Sequence, residues 1–291
     1  LEALIFGVTF RLLLSPDYHI IKKIYYASRR LRYAMDRVET DSGKTEQKLK
    51  VVVVMPAYNA ARTLAATYQN IPSEVVDEVL LVDDASRDET VKIALDFHLK
   101  VIRHPHNVGY GGNQKTCYLE ALRDGADIVV MLHPDGQYDP RLIPQIIEPI
   151  KEGKADFVLG SRLKQKGGAL KGGMPLYKFL ANRFLTGIEN LTLGQKLSEM
   201  HTGYRAYSRE FLERIPFLRN SNDFVFDSQI IAQAVAFKQR IAEVPVSTKY
   251  FKEASSVNFR VSLVYGFKTL WTALKFALDR LGIVHSKLFR A

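Results

Sequence analysis

The chain has 291 residues, 47% hydrophobic and 25% charged, with 18 glycines, 11 prolines and the lone cysteine Cys117. This composition excludes low-complexity disorder, a collagen-like repeat and a disulfide-stapled scaffold, and leaves one large domain or a domain with an appendage. Lys and Arg outnumber Asp and Glu 41 to 31, a net charge of +10 that attracts polyanions without choosing between nucleic acid, anionic lipid and phosphorylated substrates.

No window holds the about 18 uninterrupted apolar residues of a spanning helix. The nearest, Ala3–Leu14, is short and carries Arg11. A soluble or peripherally bound protein is therefore expected. Ser15-Pro16-Asp17 is a helix-start signal. Ile20, Ile21, Ile24, Leu31, Met35 and Val38 follow at helical spacing among Lys and Arg, so residues 1–38 read as a basic amphipathic segment. Such a helix packs on the main domain or lies on an anionic membrane. Residues 39–50 are polar throughout and read as a linker.

At Lys50 the periodicity changes. Val51–Met55 is a continuous β-branched run, the pattern of a parallel strand buried on both faces. Strands are predicted next at Glu78–Val82, Lys100–Arg103, Ile128–Leu132 and Phe157–Leu159, with helices between, one of them over about Asn113–Asp124. That alternation predicts stacked βαβ units and a mostly parallel sheet, whose ligands collect at the carboxyl ends of the strands. Those ends carry Pro56-Ala57-Tyr58-Asn59, Asp83-Asp84, His104 with Asn107, and His133-Pro134-Asp135. Neither GxGxxG after the first strand nor GxxxxGK[ST] is present. Gly109-Tyr110-Gly111-Gly112 is a weak imitation of a phosphate cradle, read equally well as a turn before a helix.

In order and spacing these segments resemble the family 2 glycosyltransferases. The carriers are Val53-Val54-Met55-Pro56-Ala57-Tyr58-Asn59, then Leu81-Val82-Asp83-Asp84-Ala85-Ser86-Arg87-Asp88, then Asn107-Val108-Gly109-Tyr110-Gly111-Gly112. The resemblance implies an α/β GT-A fold over residues 51–250, with a mostly parallel central sheet flanked by helices. It also implies a nucleotide-sugar donor held by Pro56, Tyr58, Asn59, Asp84, Asn107 and Gly112. The family's Asp-x-Asp metal motif is here His133-Pro134-Asp135, followed by Gly136-Gln137. A divalent cation, Mn²⁺ or Mg²⁺, is expected on Asp135 with Gln137 and His133 as further ligands. His133 removes one negative charge and offers a nitrogen better suited to transition metals than to Mg²⁺. After metal binding through Asp135, the alternatives are a weakened metal site and a histidine that contacts phosphate directly.

The second half resembles dolichol-phosphate mannose synthases and bacterial polyprenyl-phosphate glycosyltransferases. Leu159-Gly160-Ser161-Arg162 with Gly167-Gly168, Pro175–Arg183, His201-Thr202-Gly203-Tyr204-Arg205-Ala206-Tyr207 and Phe224-Val225-Phe226-Asp227 carry that likeness. It implies inverting transfer of one sugar from a UDP- or GDP-sugar to a polyprenyl phosphate, at the cytoplasmic face of a membrane. A phosphate acceptor needs positive charge rather than a general base, and Arg162, Lys178, Arg183 and Arg205 are the candidates to hold it. A hydroxyl acceptor on a glycan, glycolipid or small molecule would instead need a carboxylate base. Asp227 is then the catalytic candidate beside Asp135, unless it caps the helix Ser228–Phe237. A sugar-nucleotide-binding module without turnover is a further alternative, and no nucleic-acid motif accompanies the basic charge. Residues 251–291 read as a loop and an amphipathic helix carrying Leu263, Val264, Phe267, Leu270, Trp271 and Leu274, a core stripe or a membrane-facing one.

Overall fold

A computed structural model describes residues 48–165, 168–248 and 259–290, with only the backbone at 259 and 260. The expected N-terminal helix, nearly all of the linker, Gly167 and the loop at 249–258 lie outside the described residues. By contacts the chain divides into Leu1–Lys48 and Leu49–Ala291. The sheet and its helices belong to the second unit.

Among the described residues seven strands form one sheet: β1 (Val51–Ala57), β2 (Glu78–Asp83), β3 (Lys100–Arg103), β4 (Ile128–Met131), β5 (Phe157–Ser161), β6 (Arg205–Ser208) and β7 (Ile241–Pro245). Their order is β3-β2-β1-β4-β6-β5-β7. Every pairing is parallel except those of β6, which runs antiparallel between β4 and β5. The predicted strands fall where the β-branched runs placed them, two extended by two residues.

Helices cover both faces: α1 (Leu64–Gln69), α2 (Thr90–Asp96), α3 (Tyr110–Arg123), α4 (Ile143–Lys151), α5 (Gly168–Lys171), α6 (Leu176–Leu193), α7 (Arg209–Arg214), α8 (Phe226–Ala236) and α9 (Phe259–Arg280). Every residue of β1 is buried. Val52 and Val54 join one core with Tyr118 of α3, Phe211 of α7 and Ile230 of α8. Val51, Val53 and Met55 join a second core with Leu64, Ala94 and Ile147 of α1, α2 and α4. Period-two side chains thus feed two separate apolar layers, which is why the run shows no polar alternation. Pro56 lies in β1 opposite Val82 but past the last residue paired with β4, so its missing N–H breaks no ladder there.

The amphipathic helix expected within 251–291 is α9, and it packs on α6 and α8 within this unit. Its Ala273 and Phe276 are buried, whereas Leu263, Val264, Phe267 and Trp271 are more than half exposed. It has a core face and an apolar face turned outward.

Candidate active site at the carboxyl edge of the sheet

Asp83 and Asp84 end β2 and turn in opposite ways. Asp84 is 3% exposed. Its Oδ1 accepts from the Val108 amide at 2.8 Å and lies 2.9 Å from His104 Nδ1, while Oδ2 accepts from the Gly109 amide at 3.1 Å. Asn107 completes the clamp, donating to the Asp84 carbonyl at 3.2 Å and accepting from the Gly109 amide at 3.1 Å. Asp83, fully buried, accepts from the Ser86 amide through Oδ2, and its Oδ1 has no hydrogen-bond partner among the described residues. Asn59 adopts a left-handed φ of 52° and accepts from the Arg87 amide at 2.9 Å, so the turns after β1 and β2 hold one another. Tyr58 is 53% exposed at the rim.

The glycine run does not make an open phosphate cradle. The Gly111 and Gly112 amides both donate to the Asn222 carbonyl, at 2.8 and 3.3 Å, and the Val108 and Gly109 amides go to Asp84. A Cβ on Gly111 would lie 2.4 Å from the Ser221 carbonyl oxygen, so glycine permits the close seating of that loop. Gly112 therefore has no amide to give a nucleotide, and the geometry assigns it packing.

A cavity of about 620 Å³ opens beyond β4. His133, Asp135 and Gln137 line it from the β4 turn, Arg162 and Asp227 from β5 and α8, and α6 and α9 wall the rest. Asp135 Oδ1 accepts from the Gln137 amide at 3.0 Å, which shapes the turn, and Gly136 takes a φ of 71°. Burial lowers the pKa of His133, outweighing the pull of Asp135 and Asp227, and Arg205 adds to the effect, so the ring is a neutral imidazole at pH 7. Tyr110 connects the two acidic flanks. Its hydroxyl donates to Asp227 Oδ2 at 2.9 Å and lies 3.1 Å from His133 Nε2. Burial first, then the Asp227 carboxylate, pushes its phenol well above the usual range, so it keeps its proton.

Among the described residues no three His, Cys, Asp or Glu side chains form a ready-made metal cage. A hard divalent cation often needs none, being held by one or two carboxylates while substrate phosphates and water fill its shell. One carboxylate and one amide on a single turn, open to a cavity, fit that donor set, with His133 as the extra nitrogen.

The candidate cations separate. Lys178 on α6 lines the cavity, whereas Arg183 on the same helix is exposed and does not. Arg162 lines it too, but its guanidinium is paired with buried Glu199, Nε donating at 2.7 Å. Arg205 differs most. It is fully buried, pairs with Asp227 at 3.2 Å and donates to the carbonyls of Thr202 and Met200. Burial alone would lower its pKa, but Asp227 and the surrounding tyrosines hold it above the usual range and charged. It has no surface to offer an acceptor, and the expectation of a phosphate contact at Arg205 is corrected to a buried support for Asp227. Asp227 is not a helix cap either, since its carboxylate accepts from Tyr110, Gln114 and Arg205.

Sequence reasoning placed Asp83 and His104 at the converging strand ends and Tyr110 in the glycine motif without giving them a role, and it missed Glu199. Glu199 receives Arg162 and, at 2.8 Å, Asn182 of α6. Burial raises its carboxyl, but Arg162 with these hydrogen bonds outweighs burial and holds it below the ordinary value of 4.5. A depressed carboxyl stabilises the fold above the unfolded-state value and ceases to as pH falls through the folded one. Stability should therefore decline as pH drops below about 4.5, and Glu199→Gln should flatten that decline in urea melts at stepped pH. An unchanged acid limb would remove this role.

The model of glycosyl transferase family 2 matches residues 52–216. A UDP-N-acetylglucosamine–dolichyl-phosphate N-acetylglucosaminyltransferase of Methanococcus voltae is 28% identical, over 79% of this chain and 97% of that one. An undecaprenyl-phosphate mannosyltransferase of Micrococcus luteus is 28% identical over 68% and 83%. Among solved structures, a glucosyl-3-phosphoglycerate synthase of Mycobacterium tuberculosis, in complex with Mn²⁺, UDP-glucose and phosphoglyceric acid, superposes with a TM-score of 0.60 at 21% identity, over 82% and 81% of the two chains. This likeness shows the GT-A fold expected from the sequence.

Proposed function

The chain belongs to glycosyl transferase family 2, and from that premise we propose that it moves one sugar from a UDP- or GDP-sugar to a polyprenyl phosphate, with inversion at the anomeric carbon. The carrying observation is the cavity itself, which joins the Asp135 turn to an apolar groove between α6 and α9. Ala181, Phe184 and Leu185 line it from α6, and Leu263, Phe267 and Leu270 from α9. Such a groove suits a hydrocarbon chain, and Lys178 puts positive charge beside it. The names of the Methanococcus and Micrococcus relatives support a lipid-phosphate acceptor.

In this reading the nucleotide sits over the β1 and β2 turns. Asp83 Oδ1, without a hydrogen-bond partner among the described residues, supplies an acceptor for a base N–H or a ribose hydroxyl, while the exposed Arg103 side chain lies 3.7 Å from Oδ2. Asp135 and Gln137, with His133, would hold a divalent cation, whose charge would stabilise the leaving diphosphate. Lys178 brings the acceptor phosphate against the sugar without repulsion from the donor, beside Arg162, whose charge is matched by Glu199. That phosphate oxygen is already a nucleophile, so no proton need be removed. Asp227 has three donors on its two oxygens and serves as a fixed negative charge rather than a base.

No helix among the described residues is long and apolar enough to cross a membrane. The apolar residues of α6 that face outward, Leu176, Tyr177, Leu180 and Phe184, are each more than half exposed, as are Leu263, Phe267 and Trp271 of α9. Together they support seating on a lipid surface, where apolar area and anionic headgroups set the affinity.

The test is a donor screen over UDP- and GDP-sugars with Mn²⁺ or Mg²⁺, offering a short prenyl phosphate, the matching prenyl alcohol and phosphoglycerate. Transfer to the prenyl phosphate alone is expected. Transfer to the alcohol that depended on Asp227 would favour the hydroxyl-acceptor reading. Within the screen, Lys178→Ala and Phe267→Asp should each raise the prenyl-phosphate KM about tenfold or more, the scale of one lost charged or apolar contact. The donor KM and thermal stability should stay close to the parent's. Equal losses for donor and acceptor would contradict the groove assignment.

A further inference from the structure

His133 stands where the resemblance leads one to expect an acid, and its two ring nitrogens face different fates. A tyrosine hydroxyl has one proton and can also accept. Tyr110 lies 2.9 Å from a carboxylate oxygen of Asp227, which can only accept, so the proton goes there. The Tyr110 oxygen can then take only a donor from His133 Nε2, 3.1 Å away. The same ring edge is walled by backbone, since a Cβ on Gly203 would lie 2.9 Å from His133 Cδ2 and 3.0 Å from Nε2. The Tyr110 ring is itself held between His133, centroids 5.4 Å apart, and Phe224, 4.6 Å.

We propose that Tyr110 is a positioning residue: with Gly203 it commits the Nε2 edge of His133 to the protein, so that Nδ1 is the nitrogen His133 can offer to a cation accompanying the donor diphosphate. This rests on the transfer reading for the identity of the ligand, but not for the hydrogen-bond relay. Asp227, Tyr110 and His133 then form a chain in which each member fixes the orientation of the next, as carboxylates and carbonyls do for metal-bound histidines. The relay also links the α8 side of the cavity to the β4 turn, so that loosening one flank alters the other.

Long-range ¹H–¹⁵N spectra of the full chain with ¹⁵N-histidine, His133 assigned by its loss in His133→Gln, test the relay without donor or metal. The protonated-Nε2, bare-Nδ1 tautomer is expected. Tyr110→Phe keeps the ring stack and removes only the hydroxyl, so it should mix the two tautomers and weaken Mn²⁺ binding in the presence of UDP by about tenfold or more. Protonated Nδ1 in the parent chain would overturn the proposal. So would Tyr110→Phe with the parent's tautomer or Mn²⁺ affinity. A chain that turned over no UDP- or GDP-sugar would retire the transfer reading and leave the tautomer result standing.

Discussion

Asp135→Ala and Asp135→Asn should both lower sugar transfer at least a thousandfold, about 4 kcal/mol of barrier, with the fold retained. The pair separates two jobs of one side chain. Asp135 accepts from the Gln137 amide to shape its turn, and it presents negative charge to the cavity. Asparagine keeps an oxygen for the turn and loses the charge; alanine loses both. If the charge holds the cation, the two variants fail alike, in single-turnover transfer as well as in the steady state. An Asn variant with near-normal turnover would show that the carboxylate only shapes the loop.

The second large effect is on stability. Arg205→Met should cost about 3–5 kcal/mol, because it leaves Asp227 charged and 8% exposed without its cation. Against a typical total of about 5–15 kcal/mol, that brings the chain near unfolding. Removing both charges in Arg205→Met/Asp227→Leu should recover part of the loss, since no unpaired charge then remains. Chemical melts of the parent, the single and the double variant measure this. A stable Arg205→Met protein with only a raised acceptor KM would return Arg205 to the role of an acceptor-phosphate ligand.

Arg205 shows why the sequence was informative about one kind of role and silent about another. Strand positions follow from local runs such as Val51–Val54, and the polar residues at strand ends could be found because a parallel sheet gathers them at one edge. Asp84, Asn59 and Asn107 accordingly fall together in the structure. Partnerships are not local. Tyr110 and Asp227 are 117 residues apart, and Arg162 and Glu199 are 37 apart. βαβ periodicity announces neither pairing, nor the antiparallel threading of β6 between β4 and β5. Motif position marked Arg162 and Arg205 as candidate phosphate ligands, but only the packed structure shows that each already serves a buried carboxylate. For α9 the helical spacing of apolar residues was legible, yet which residues face the core depends on how α6 and α8 meet it.

Crystals soaked with UDP or GDP and Mn²⁺ decide whether the carboxyl edge of the sheet is the donor site. A base and ribose are expected at the Asp83–Asp84 turn, with the diphosphate and manganese beside Asp135. A nucleotide seated elsewhere on the sheet, or a diphosphate bound there with no metal and no contact to Asp135, would contradict this placement.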